Sequence, residues 1–329
     1  MSIRNVVGLA AALAALLTAV PALAQEKVTY NMAWLPQGSS IGVIVAQDRG
    51  YFRELGLDTN IVRGYGGNRT ANELDQGQYE FAYVDPISLI LNRSNGGHIK
   101  MVGAINTRWP AGVCYVAQRN HPKSIDDLKG LTLGGGAGSP VHNVVPAWLE
   151  MNGKPRDFIK LVRLDPAVID TSFMEGKTDL AECWQASNRP VLAKLAKTAG
   201  VQVGWLNYAD YGLNAYGSGF ATSDAMIQKK PETVRKFLHA SYRGFQEAFA
   251  NPEAAADTLV KMFPASDRAI ALAQIKETAD IMTDPQAKAQ GLGYLREDRM
   301  SSTLNFVDKA YDVKGKVKLS DIYTNAFLK

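Results

Sequence analysis

The sequence predicts an α/β protein large enough for two domains with a cleft between them. Short alternating apolar segments recur between stretches of helical periodicity, glycine-rich loops twice lead from a strand into a helix, and the last third reads as almost wholly helical.

The chain opens on a leader. Arg4 is the only charge before Glu26, an apolar run extends from Val6 to Val20, and Ala22-Leu23-Ala24 places small residues where a signal peptidase reads. This predicts a secretory signal peptide over residues 1–24, cut between Ala24 and Gln25. The run is short for a membrane span of about 20 residues, and Pro21 closes it as a cleavage region. With no cysteine at the cut, no lipid anchor is expected, and the mature chain should be free in a periplasm.

Val28 to Trp34 alternates as a strand, and Ile41 to Asp48 reads as a helix ended by Gly50. A strand near Asp58 to Arg63 and a helix from about Arg69 to Gln76 come next. Further strands fit Glu80 to Val84, Ile99 to Ile105, Val113 to Gln118, Leu131 to Gly134, Ile159 to Leu164, Leu180 to Trp184 and Val201 to Trp205. Alternation at this spacing argues for parallel sheets flanked by helices. From Pro231 onward, Val234, Phe237, Leu238, Phe245 and Phe249 share one helical face, and Pro252, Pro264 and Pro285 punctuate the later helices. Such a tail suggests bracing of one lobe.

Two loops are candidate ligand contacts. Gly64-Tyr65-Gly66-Gly67-Asn68-Arg69-Thr70 joins strand to helix, with Thr70 and Glu73 spaced as a capping box. Gly134 to Gly138 precedes Ser139, a good N-cap, and Pro140, suited to a first helical position. Exposed N–H groups at helix starts attract anions or carbonyl oxygens. An ordinary strand-to-helix turn is the competing reading of the first. A dinucleotide fingerprint fails because Ser139 stands where its last glycine belongs, and a P-loop fails because Thr171 replaces its first glycine.

Other chemistries find little support. The charge of +4 is interspersed with acids, so no nucleic-acid footprint is expected. His98, His121, His142 and His239 are scattered without metal-ligand spacing, and Ser218, between Gly217 and Gly219, lacks the outer pattern of a nucleophile elbow. Asp85, Asp165, Asp179 and Glu182 follow strands and could act as acids, yet caps and ligand contacts use the same residues. Cys114 and Cys183 either bridge or remain free thiols; spacing does not decide. Trp34, Tyr83, Trp109 and Trp184 stand near strand ends, with Tyr211 and Tyr216 in a later segment, and ligands of open α/β sheets bind beyond such ends. A cleft lined by them suits a planar ring; burial in the core is the alternative for each.

Trp34-Leu35-Pro36-Gln37, Ala46, Gly50-Tyr51-Phe52 and Gly56-Leu57 resemble the opening of ABC importer binding proteins for thiamine pyrimidine precursors, riboflavin, aliphatic sulfonates, taurine and nitrate. Leu74 to Phe81, Ser124 to Gly130 and Gly176 to Leu180 are similar to later stretches of that family. The resemblance implies a two-lobed α/β periplasmic binding protein fold of type II with two crossover segments, near Ala104 to Gln118 and Trp205 to Phe220. Residues 25–110 would begin lobe 1, 111–207 form lobe 2, and 208–329 return to lobe 1.

It further implies ligand contacts at Trp34, Gln37, Asn68, Arg69, Thr70, Tyr83, Asp85, Arg108, Trp109, Gly138, Ser139, His142 and Trp184, with Tyr211 and Asn214 added from the return crossing. No catalytic residue, metal or cofactor is implied, and the Cys-rich motif of the eukaryotic pyrimidine synthase relatives is lacking. The expected partners are a small ligand and a membrane permease with its ATPase; the expected state is a monomer. The aromatics favour a heteroaromatic stacked on Trp34 or Trp184 and hydrogen-bonded by Asn68 and Asp85. Arg108 and the two helix starts favour an organic anion such as a sulfonate or taurine instead.

Overall fold

A computed structural model describes residues 25–283 and 285–328 of the chain; the expected leader lies outside the described residues. The first strand, β1 (Glu26–Asn31), buries Val28 and Tyr30 and pairs in parallel with β2 (Leu57–Val62) and β3 (Phe81–Val84). Helix α1 (Ile41–Arg49) bridges β1 to β2 and ends where Gly50 takes the left-handed conformation that glycine adopts without a Cβ penalty. Helices α2 (Gly67–Asp75) and α3 (Pro86–Ser94) complete the parallel units leading to β4 (Ile99–Ala104).

The chain then passes to a second sheet, built from β5 (Ala111–Val116), β6 (Thr132–Gly136), β7 (Lys160–Leu164), β8 (Leu180–Trp184) and β9 (Val203–Asn207). Helices α4 (Val141–Met151), α5 (Ile169–Met174) and α6 (Asn188–Ala199) join them. It returns to the first sheet as β10 (Gly219–Ser223).

The two five-stranded sheets share one plan: β2-β1-β3-β10-β4 and β7-β6-β8-β5-β9. In each, the strand second from the edge, β10 or β5, runs antiparallel to its neighbours. The sheets are therefore mixed, where alternation of elements predicted parallel ones. Both reversed strands are the first after a crossing between sheets, so no right-handed βαβ unit fixes their direction. The fold is the two-lobed α/β architecture expected.

Cys114 on β5 and Cys183 on β8 form a disulfide between adjacent strands, their Cα atoms 5.3 Å apart. The pairing resolves the alternative that spacing left open and suits an oxidising compartment.

The helical tail begins with α7 (Pro231–Ala250), which crosses α1 where a Cβ on Gly244 would stand 1.9 Å from the Gly42 carbonyl oxygen. Its Phe237 stacks on Phe81 at 3.9 Å and meets Tyr30, Phe52 and Phe220. Packing of this kind braces the first sheet. The tail also reaches the second lobe, which the sequence pattern does not signal. Helices α8 (Pro252–Met262), α9 (Arg268–Met282) and α10 (Glu297–Tyr311) complete it; Gln274 of α9 donates to the Ser187 carbonyl at 2.7 Å, Glu277 accepts the Ala186 N–H at 2.6 Å, and Tyr311 donates to the Asn143 carbonyl.

Candidate functional site

Between the facing edges of the two sheets lies a cavity of about 770 Å³, lined from both sides. How Trp34 reaches it is a local matter. β1 ends at Asn31, three residues earlier than the alternation predicted, because the Asn31 side chain accepts the Ala33 N–H at 2.7 Å and turns the chain. Ala33 sits at φ 59°, a left-handed conformation that a Cβ disfavours. The Ala33 and Trp34 carbonyls are held by Gly66 and Gly64 N–H groups at 2.7 and 3.1 Å.

The opposite wall repeats the device. Trp184 closes β8, and Ala186 just beyond it has φ 61°. Among the described residues only Ala33, Ala186 and Asp312 combine a side chain with positive φ, and two of the three flank the cleft tryptophans. Strain of about 1–3 kcal/mol of this kind persists where the surroundings over-determine it, and it concentrates at functional sites.

Behind the tryptophans the wall is acidic. Glu182, 2% exposed, accepts from the Gly136 N–H at 2.7 Å, the Ser139 hydroxyl at 2.5 Å and the Trp184 indole at 3.0 Å; burial raises its pKa against the pull of these donors. Its network fixes both the second glycine loop and the Trp184 ring. Asp85, also 2% exposed, caps α3 by accepting the Ser88 N–H at 2.8 Å, while its Oδ2 has no protein partner; burial pushes this carboxyl up. Asp170 is pushed up to about 6 by burial, against a hydrogen bond from Asn188 and with the charge of Glu182 nearby. Tyr83 accepts from Asn106 at 2.7 Å, and burial raises its phenol to about 12. Asn106 Oδ1 is a further buried acceptor without a protein partner. On the basic side, Arg63 lines the cavity and lies over the Tyr65 ring at 4.4 Å.

Of the residues the resemblance singled out, Trp34, Gln37, Tyr83, Asp85, Ser139 and Trp184 share this wall. Gln37 also spans the lobes, its Oε1 accepting from the Ser187 hydroxyl at 2.6 Å. The rest lie elsewhere. Asn68 faces the second glycine loop: its N–H donates to the Gly138 carbonyl at 3.2 Å and its side chain to the Ser139 carbonyl at 3.2 Å. The first helix start thus gives a free donor to the opposite lobe rather than to a ligand. Thr70 is buried within α2 and is not a cap, since the helix begins three residues before it. Similarly, Ser139 commits its hydroxyl to Glu182, and Pro140 rather than Ser139 occupies the cap of α4.

Arg69 is exposed and paired with Glu73 at 2.6 Å. Arg108 is partly buried, pairs with Asp280 at 3.1 Å and is not among the residues of the cavity wall. Trp109, 1% exposed, is a core residue packed behind Trp184, ring centres 5.4 Å apart. His142 bonds the Gly136 carbonyl at 2.9 Å, with its pKa lowered by burial, and stands outside the lining. Tyr211 packs on Trp148 and donates to the Lys123 carbonyl, and Asn214 is exposed; neither lines the cavity.

Sequence reasoning missed Asn106, Asp170, Ser187 and the turn between α8 and α9, all in the wall. Asp170 and Asn106 carried no motif, and the turn reads as an ordinary helix junction. Among the described residues no cluster suited to a metal ion occurs, and no helix is long and apolar enough to cross a membrane.

Residues 37–255 match the family described as NMT1/THI5 like. The riboflavin-binding protein RibY of Chloroflexus aurantiacus is 28% identical over 312 residues, 92% of this chain and 86% of that protein. A formylaminopyrimidine-binding protein of Halalkalibacterium halodurans is 26% identical over 241 residues, 72% of this chain and 71% of that one. Among solved structures, the alkanesulfonate-binding protein SsuA of Xanthomonas axonopodis pv. citri bound to MOPS superposes with a TM-score of 0.68 at 15% identity, covering 92% of this chain and 99% of that chain.

Proposed function

The chain belongs to the NMT1/THI5-like family, and on that premise we propose that it is a secreted solute-binding component of an ABC importer. It captures a small planar heteroaromatic nutrient between its lobes and delivers it, unchanged, to a membrane permease. The leader at residues 1–24 takes it to the periplasm, and the lobes divide at about residues 110 and 207. Ligand contacts come from Trp34, Tyr83, Asp85 and Trp184.

The observation that carries the reading is the acidic, acceptor-rich lining of the cavity. Asp85, Asp170 and Glu182 line it with both tryptophans, and Asp267 is balanced by Lys194. Arg63 is the cation of that lining. An anion placed there would meet carboxyl groups rather than a set of cations, whereas a ring bearing N–H donors finds the unpartnered acceptors of Asp85 and Asn106 and two aromatic faces. The organic-anion alternative leaned on Arg108 and the helix starts. Arg108 is spent on Asp280, and Asn68 on Gly138. The relatives named for riboflavin and a formylaminopyrimidine bind planar nitrogen heterocycles, which supports the same choice.

Gentle purification from the native host followed by mass spectrometry of the released small molecule tests this. A nitrogen heterocycle at near-stoichiometric amount is expected; a sulfonate or a purely aliphatic acid in its place overturns the ligand class.

A further inference from the structure

The cavity has two chemically different ends. Toward the carboxyl edge of the first sheet stand Asp85 and Asn106, polar and buried, with the partly buried Tyr83. On the other side, α6 of the second lobe and the α8 to α9 turn of the tail contribute Val191, Met262, Phe263 and Ile270, all partly buried and apolar. That end also carries Asp267 of the turn, which lines the cavity and pairs with Lys194 on α6. Between the two ends, Gln274 holds Ser187 and the Gly38 N–H at 2.7 and 3.1 Å, so the passage is built from fixed groups.

The size matters too. Cavities of roughly 300–1,000 Å³ enclose drug-sized molecules, and this one is about 770 Å³. A single six-membered ring at the polar end would leave the apolar end filled with water against Phe263 and Ile270, which forfeits the burial that the wall offers.

We infer that the ligand is elongated and two-sided: a donor-bearing ring at the Asp85 end and an apolar extension, a second ring or hydrocarbon chain, seated against Val191, Phe263 and Ile270. This rests on the heteroaromatic reading and narrows it.

Calorimetric titration of the mature chain with 4-amino-2-methylpyrimidine and with the same ring carrying a 5-benzyl group tests it. The benzylated ring is expected to bind about tenfold tighter or more. In Ile270→Trp, which fills the apolar end, that advantage should vanish while affinity for the bare ring stays within about threefold. Phe263→Ala, a milder change at a partly exposed position, should reduce the advantage and guards against a misfolded tryptophan variant, with circular dichroism confirming the fold of each. Equal affinity for the two compounds, or an advantage that survives both substitutions, overturns the inference and leaves the heteroaromatic reading standing. Binding of neither ring, with binding of an alkanesulfonate, removes both.

Discussion

The backbones of Gly66 and Gly138 lie directly against each other across the cleft: a Cβ on Gly66 would stand 2.2 Å from the Gly138 carbonyl carbon, and one on Gly138 2.4 Å from the Tyr65 carbonyl oxygen. The two glycine-rich loops are thus one place where the lobes touch, and side chains there would hold them apart. Gly66 also needs its φ of 120°, so replacing it would strain its own loop. Gly138 has no such need, and the atoms its Cβ would meet all belong to the opposite loop.

Gly138→Ala is therefore expected to leave each lobe folded and to penalise closure. Overpacking costs about 1–3 kcal/mol, which is about a five- to hundredfold loss of ligand affinity. Circular dichroism should be unchanged, while calorimetry shows the loss and small-angle scattering shows a larger radius of gyration with ligand present. Undiminished affinity would mean that closure does not pass through this contact.

Trp34 and Trp109 should part company. Trp34 is partly exposed at the cavity wall, its ring against Gly136, whereas Trp109 is buried behind Trp184. Trp109→Ala is expected to cost about 3–5 kcal/mol of stability, the usual loss for a buried large aromatic. Trp34→Ala should cost little stability and weaken ligand binding at least tenfold, roughly one stacking face. Chemical denaturation and titration of both variants check the contrast; equal destabilisation would return Trp34 to the core.

Asp170 gives a pH dependence with a definite sign. Its folded pKa of about 6 lies above the unfolded value of roughly 3.9. Between those values the folded chain keeps a proton that the unfolded chain releases, so stability falls as pH rises from about 4 to 6, and the cost persists above. Asp170→Asn keeps an acceptor for Asn188 and removes the charge. Its melting temperature should exceed that of the parent at pH 7.5 and match it near pH 4. The same difference at both pH values would contradict the assignment.

The Cys114–Cys183 bridge ties strands 69 residues apart in sequence. Closing a loop of that length in the unfolded chain stabilises by roughly 2–4 kcal/mol. The double variant Cys114→Ala, Cys183→Ala, or reduction of the parent, should lower the midpoint of urea unfolding accordingly. An unchanged midpoint would indicate that the bridge does not form in solution.

Most elements were legible because burial imposes a period: Leu180 to Trp184 and Ile41 to Asp48 carry their own patterns. β10 was not, since Gly219 to Ser223 is short and its direction is set by a crossing rather than by neighbours in sequence. Of the site, Trp34, Tyr83, Asp85 and Trp184 could be picked out at strand ends. Asp170 and Phe263 could not, because an acid on a short helix and an aromatic after a helix acquire meaning only when the tail folds across to the second lobe. Arg108 misled for the converse reason: a cation near a cleft suggests an anion until Asp280, 172 residues away, neutralises it.

Calorimetric titration of the protein lacking residues 1–24 with aminopyrimidines and flavins on one side, and taurine and alkanesulfonates on the other, reaches the central claim most directly. Saturable binding of at least one nitrogen heterocycle, abolished or weakened by Asp85→Asn, with no heat from the sulfonates, is the expected result. Tight binding of a sulfonate with none of any heterocycle would contradict it.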